Sequence, residues 1–412
     1  MASEAANRPQ VLIAGGGVTG LEALLALADL ARDRVEITLL SRDPEFTYRP
    51  LTVEEPFSLG PAERKALEPI AAEAGARFAQ GALARVRPEE HAIELADGSS
   101  ESFDMLIVCV GAKPRAVYER AITFGVGTEL FRIDDLLGEA GGGSARIAFV
   151  VPPGVTWALP IYELALMTQS RAAEAGAKVD CTIVTPERAP LIIFGVPASD
   201  AVAVLLRARG IEVETSVHTH QSDAGDLIMT PGDRPLAADH VVTLPLLGGP
   251  RIEGLPVDDQ GFIPIDAHAR VPGADDVYAA GDGTTFPIKQ GGIGTQQADA
   301  AAEHIAQRAG AALEARPFHP VLRGKLIAGD ESMHLRHDLA GGTGEGIASD
   351  DYLWWPPHKI SGRYLAPWLA REAPQTDPAP PEHSIDVEVA LPSEWHSEPM
   401  ALDPYGPVEV GD

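Results

Sequence analysis

A chain of 412 residues exceeds what one hydrophobic core organises, so two domains and an appendage are expected. Its 60 acidic and 32 basic residues give a net charge of −28, which argues against nucleic acid or an anionic membrane surface as partner. No basic-then-apolar leader opens it and no apolar run reaches the ~18 residues of a membrane span, so a cytoplasmic protein is expected.

Val11-Leu12-Ile13-Ala14 reads as a buried strand ending in Gly15-Gly16-Gly17-Val18-Thr19-Gly20, and a helix (LEALLALADLA) follows. A second apolar strand, VEITLL at 35–40, closes the βαβ unit. In this arrangement Gly15 permits the tight turn and Gly17 lets the backbone approach a phosphate. Gly20 lets helix and strand pack closely, while the N–H groups around Val18 and Thr19 face the anion. A glycine-rich turn of any α/β protein is the plainer alternative, and the flanking strands favour the dinucleotide reading. The second strand ends in Ser41, where a carboxylate commonly accepts the ribose hydroxyls, and Arg42 after it would suit a 2′-phosphate. This segment therefore leaves the dinucleotide's identity open.

Residues 80–103 alternate apolar and polar around Asp97-Gly98, a β-hairpin signal. A buried strand, DMLIVCVG, then stops at Gly111. Residues 146–185 form a second βαβ unit: strand RIAFVV, helix IYELALMTQSRAAEAG, strand VDCTIVT. Its connecting turn, PPGVTWALP at 152–160, keeps only Gly154, and its prolines remove N–H donors. Glu163 and Glu187 stand near the acids of a nucleotide site, although Glu163 is equally an ordinary residue of a helix surface. A NAD-like fold is expected here, with NAD(P)H binding left undecided. A helix near 197–209 and a strand, IEVETS, follow.

Cys109 and Cys181 each lie inside an apolar strand and read as inert. No C-x-x-C is present, which excludes a thiol–disulfide relay, and the isolated His218-Thr-His220 suggests no metal.

Residues 277–304 give another strand-to-helix site: an apolar strand, Gly281-Asp282, a loop, and an alanine-rich helix. With the first fingerprint and the stop at Gly111, the chain resembles the two-dinucleotide flavoproteins of the pyridine nucleotide-disulfide oxidoreductase superfamily. Phe46-Thr47-Tyr48-Arg49-Pro50-Leu51, Phe286-Pro287-Ile288-Lys289 and Thr295-Gln296-Gln297 are similar to the branch of type II NADH dehydrogenases and sulfide:quinone oxidoreductases. Thr185-Pro186-Glu187 and Phe194-Gly195 fit the same pattern.

The resemblance implies FAD as cofactor, with Asp282 bonding the ribityl–pyrophosphate region and the following helix aimed at the flavin N1–C2=O edge. Ser41, Arg42, Arg49 and Gly111 would complete the cofactor site, and Val86 would meet adenine through its backbone. Lys289, Gln290 and Gly291 would lie beside the isoalloxazine ring, with Lys289 as the candidate flavin-edge cation. Gln296 and Gln297 would face a quinone. The sulfide:quinone branch carries sulfur on cysteines near the flavin, and Cys109 and Cys181 do not sit where those motifs fall.

The expected class is α/β, with two Rossmann-like dinucleotide-binding domains in three layers. A FAD domain (9–120 and 256–325) is split by a NAD-like domain (121–255). A cap (326–371) carries Trp354, Trp355, Lys359, Arg363, Tyr364 and Trp368, an aromatic-plus-basic group suited to substrate, peripheral membrane or a dimer mate. A cap packing on the FAD domain or a dimer mate is the favoured reading of that group. Residues 372–412 hold ten acids and no Lys or Arg, a composition that reads as a solubilising tail, with Trp395, Met400 and Tyr405 as spaced anchors.

Three functions stay in view: an NAD(P)H dehydrogenase passing electrons to a quinone-like acceptor, a sulfide:quinone-like enzyme with a non-nucleotide donor, and a flavin-binding partner protein without turnover.

Overall fold

The computed structural model describes residues 8–126, 131–138, 144–339 and 346–372. The acidic segment beyond 372, with Trp395, Met400 and Tyr405, lies outside the described residues.

The chain opens with β1 (Gln10–Ala14), α1 (Val18–Leu30), β2 (Glu36–Ser41), β3 (Arg77–Gln80) and β4 (Met105–Val108). The middle of the chain forms β5 (Ser144–Val150), α2 (Leu159–Ala175), β6 (Lys178–Val184), α3 (Val196–Ala208), β7 (Glu212–Glu214) and β8 (His240–Thr243). It closes with β9 (Val277–Ala279), α4 (Gly291–Arg308), β10 (Val321–Ile327), β11 (Ser332–Asp338), β12 (Ile347–Ser349) and α5 (Leu365–Glu372).

The first sheet runs β9-β4-β1-β2-β3, all parallel. Val11 through Ala14 are buried on both faces, which is why this strand reads as an unbroken apolar run rather than an alternation. β9 enters from the far side of the middle segment, so one sheet is built from two separated stretches of chain. The second sheet runs from the short edge strand Ile122–Thr123 through β8, β5, β6 and β7, again parallel.

α1 and α4 pack against each other over the first sheet, and Ala23, Ala26, Ala298, Ala301 and Ala302 share their common core. Small side chains let the two helix axes approach, and both N-termini then open at the same end of the sheet. The expected hairpin is a three-stranded meander (Leu83–Arg87, Ala92–Leu95, Ser100–Ser102), and the strand expected over 211–216 narrows to β7.

β10, β11 and β12 form an antiparallel sheet that composition alone did not announce. Leu322, Leu326 and Leu335 of one face share a core with Leu159 and Phe194 of the second unit. A Cβ at Gly324 would run into the Phe194 ring. The other face carries Arg323, Lys325, His334 and Arg336, and the segment after 350 covers part of it.

The last described helix is tied to the first. Glu22 of α1 is fully buried, and its carboxylate accepts the N–H groups of Tyr364 and Leu365, each at 2.8 Å, at the start of α5. Gly362 passes so close to that carboxylate that any Cβ would collide with it. Burial raises the Glu22 pKa to about 7, and Asp299 of α4 beside it is raised too. Leu365, Trp368 and Leu369 join the core of the first unit.

Candidate active site

The glycine turn after β1 is shaped by its neighbours. Gly15 has φ +128°, and a Cβ there would strike the Cys109 carbonyl, while one at Gly20 would strike the carbonyl of Gly15. A Cβ at Gly16 would meet the Leu67 side chain and Ser41 Oγ. Gly17 is different. Its φ is −85°, and nothing lies within 4 Å of where its Cβ would project. Neither backbone conformation nor packing inside the protein requires glycine at that position, whereas close approach of a phosphate would. α1 begins directly after it with no side-chain cap and no acid in its first turn. Its free N–H groups and positive dipole end therefore suit an anion.

Across the crevice, Gly281 has φ +88°, packs on Thr19, and donates its N–H to Gln297 Oε1 at 2.7 Å. Asp282 follows with a half-buried carboxylate. Burial raises its pKa, and Lys289 and Arg49 oppose the rise, so two cations converge on it. A carboxylate so placed can accept hydroxyl hydrogen bonds from a ribityl chain. Lys289 Nζ donates to the Thr284 carbonyl and sits 3.7 Å from the centroid of the Phe262 ring. Burial lowers its pKa to about 8, against the pull of Asp282 and Asp258. Gly111, at the C-terminal end of the neighbouring strand, has φ +72° and an open Cβ direction. The fit to a flavin dinucleotide is therefore good: a pyrophosphate cradle, an acid for hydroxyls, and a second helix N-terminus at α4.

Several expected residues do other work. Gln290 is buried and caps α4, its Oε1 accepting from Ile293 N–H at 2.8 Å and its Nε2 donating to the Arg323 carbonyl at 3.2 Å. Gln296 stitches α4 to β10, bonding both Val321 N–H and Val321 C=O. Gln297 is fully buried and holds Gly281. Both amide groups thus serve internal bonds rather than facing a quinone. Gly291 accommodates the Ile360 side chain. Val86, expected to meet adenine through its backbone, donates its N–H to the Glu253 carbonyl at 2.8 Å. Ser41 is buried at the end of β2, whereas Arg42 is exposed and pairs with Asp43.

Glu163, expected on a helix surface or at a nucleotide, is neither. It is wholly buried and paired with Lys359, whose side chain is 8% exposed, at 2.7 Å. The other oxygen accepts the Ile327 N–H, and Lys359 also donates to the Pro50 carbonyl at 2.8 Å. Burial pushes the Glu163 pKa up, and Lys359 holds it down. The next residue, Ile360, donates its N–H to the Tyr48 hydroxyl and packs on Gly291. This ion pair therefore borders the Tyr48-Arg49-Pro50 wall and the start of α4. Spacing could not pair residues 196 positions apart in sequence.

The second crevice is filled from within. α2 begins at Leu159 with Pro160 in its first turn and no side-chain cap. Above the turn, Gly154 faces the Leu246 side chain, and Trp157 stacks edge-on against Phe194 at 5.7 Å. Glu187 is 3% exposed and turned inward, accepting from Tyr162 Oη at 2.6 Å and Thr185 Oγ1 at 3.0 Å. Burial raises its pKa to about 7 against those two hydrogen bonds. A carboxylate engaged in this way is not presented to a ribose.

Both cysteines are buried, and burial raises their pKa values, that of Cys181 to about 12. Neither is a reactive thiolate. Among the described residues no His, Cys, Asp and Glu group is arranged to hold a metal.

In the cap, Trp354 Nε1 bonds the His358 carbonyl at 2.9 Å and its ring lies 4.9 Å from that of His334. Trp355 is 38% exposed and packs on Tyr352. Burial, aided by Lys325, lowers the His334 pKa to about 4. Among the described residues, no helix is long and apolar enough to cross a membrane.

Residues 2–130 match the family described as pyridine nucleotide-disulphide oxidoreductase. Among solved structures, the sulfide:quinone oxidoreductase of Aquifex aeolicus superposes with a TM-score of 0.72 at 19% identity, covering 83% of this chain and 86% of that one. NDH2 of Plasmodium falciparum, solved with NADH, gives 0.53 at 17%, covering 67% and 64%. The NAD-dependent persulfide reductase of A. fulgidus gives 0.55 at 16%, covering 80% and 64%. The family match thus rests on the first third of the chain, and the whole chain shares the two-domain fold of the sulfide:quinone oxidoreductase and NDH2 structures.

Proposed function

We propose that the protein is an FAD-dependent oxidoreductase that oxidises a small non-nucleotide donor and reduces a quinone-like acceptor. FAD, when bound, supplies the two-electron chemistry. The chain's own residues bind, orient and move protons. The turn from Gly15 to Gly20 holds the pyrophosphate through backbone N–H groups, and Asp282 fixes the ribityl hydroxyls. Lys289 provides positive charge near the ring edge. The pair Glu163–Lys359 keeps a proton in a buried position beside the Tyr48-Arg49-Pro50 wall, where reduction of a quinone carbonyl would require one.

The observation that carries the choice of donor is Glu187 turned inward onto Tyr162 and Thr185. With Leu246 over Gly154 and prolines at the turn, the second crevice offers a nicotinamide nucleotide neither ribose acceptor nor pyrophosphate cradle. The buried cysteines leave no sulfur relay, so the donor would reach the flavin directly.

Anaerobic titration of the purified holoprotein tests this reading. Millimolar NADH or NADPH is expected to leave the flavin absorbance unchanged over minutes, while the photoreduced protein is reoxidised by a water-soluble quinone. Bleaching by either nucleotide within seconds would replace this donor assignment with a type II NADH dehydrogenase activity, as NDH2 with its bound NADH would suggest.

A further inference from the structure

We propose that the basic face of the β10–β11 sheet, walled by Tyr352 and Trp354, is a binding site for a small anionic aromatic molecule. The proposal goes beyond the redox reading and does not depend on it.

The register sets the site. Arg323 lies directly opposite Arg336, and Lys325 directly opposite His334, all on the sheet face away from the Leu322–Leu326 core. Like charges facing each other across two strands repel, and such pairs persist where something neutralises them. Neither arginine side chain makes a hydrogen bond or ion pair among the described residues, and both are half-buried. Asp338 shares the face, where it attracts Arg323 and bonds His319 Nε2 at 3.0 Å, one carboxylate beside three cations. Three cations on one small face stand out in a chain whose net charge is −28.

The second observation is independent of charge. His334 is 0% exposed, and neither of its ring nitrogens has a hydrogen-bond partner. His358 Nε2, on the covering segment, is likewise buried without a partner. Buried polar atoms are almost always satisfied, so these imidazoles call for a polar occupant. The rings of Tyr352 and Trp354 meet His334 edge-on at 5.2 and 4.9 Å and give the site flat apolar walls. Two guanidinium forks suit a carboxylate or sulfonate, and the rings suit an aromatic body.

The site touches the cofactor crevice through the backbone, because the Arg323 carbonyl accepts from Gln290, the cap of α4. An occupant here would stand next to the helix whose N-terminus faces the flavin.

Isothermal titration of the flavin-loaded full chain with 1-naphthoate and its neutral counterpart, naphthalene-1-carboxamide, tests the assignment without turnover. The acid is expected to bind at least tenfold tighter than the amide at low salt, with the preference falling at least fivefold in 0.5 M salt. In the double variant Arg323→Gln/Arg336→Gln, which keeps only Lys325 on the face, the preference should fall at least fivefold. The double variant Arg323→Lys/Arg336→Lys keeps the charge and should keep most of the preference, which guards against simple misfolding. Equal binding by the wild type, no binding of either ligand, or an undiminished preference in the Gln variant would overturn the proposal. A failed quinone assay would not touch this result, since binding is read directly.

Discussion

The two strand–turn–helix crevices start from the same topology and end in opposite states. Both helix starts lack a side-chain cap, but after β1 the turn is glycine-rich and the Gly17 Cβ direction is open. After β5 the turn carries Pro152 and Pro153, Leu246 lies over Gly154, and the acid at the end of the next strand is buried. The inversion at the ribose position is instructive. The first crevice has only Ser41 there, with no carboxylate, while the second has Glu187, which faces inward. A residue type at the right spacing is necessary for a ligand contact; which way its side chain is already committed decides whether it is available.

The largest contrast should come from glycine substitution. Gly15→Ala places a Cβ against the Cys109 carbonyl at φ +128°, and purified protein is expected to lose flavin at least tenfold, read as the 450 to 280 nm absorbance ratio. Gly154→Ala should keep full flavin and cost only the ~1–2 kcal/mol of a left-handed non-glycine residue. Equal flavin loss in both variants would break the comparison.

Next in size is the ion pair at the border of the first crevice. Lys359→Met leaves Glu163 buried without its cation and should cost about 3–5 kcal/mol of unfolding free energy in urea titrations. Adding Glu163→Leu should restore much of that stability, because the stranded charge is gone.

The third test uses pH. The Glu187 pKa is raised from 4.5 to about 7 on folding, so the folded state holds the proton more tightly. Its contribution is greatest below pH 4.5 and is lost as pH climbs through about 7. Glu187→Gln keeps an acceptor for Tyr162 and should make the stability slope in that window less negative by up to about 1.4 kcal/mol per pH unit. Glu22, raised into the same range, keeps the slope from vanishing. An unchanged slope would mean that Glu187 is solvated and open to a ligand.

The smallest effect concerns Lys289. Lys289→Met removes a positive charge from the first crevice and should lower the flavin midpoint potential by about 30 mV, as followed by dye equilibration. No shift would confine this lysine to its contacts with Thr284 and Phe262.

Much of the architecture was legible in the sequence because local signals carried it. The glycine spacing, the apolar strand runs and the split of the first sheet around an inserted βαβ unit each leave a trace within thirty residues of chain. Side-chain commitment left none. Gln296 and Gln297, expected by resemblance to face a quinone, are bonded to Val321 of β10 and to Gly281 after β9, partners no local pattern reveals. Glu163 and Lys359 meet across 196 positions, and Arg323 opposes Arg336 only once the register of β10 and β11 is set. The alternation in VLRGKLI and SMHLRHD was the one available hint of that sheet.

The Glu22 bridge makes two distant events a single equilibrium. α1 carries the cofactor turn at its first residues and, one turn later, the carboxylate that fastens residues 362–365. With the turn holding a cofactor as proposed, binding at the start of α1 and docking of α5 would reinforce each other by reciprocity. Protease sensitivity near residue 365 would then become a gauge of flavin loading, read far along the chain from the turn proposed to bind it.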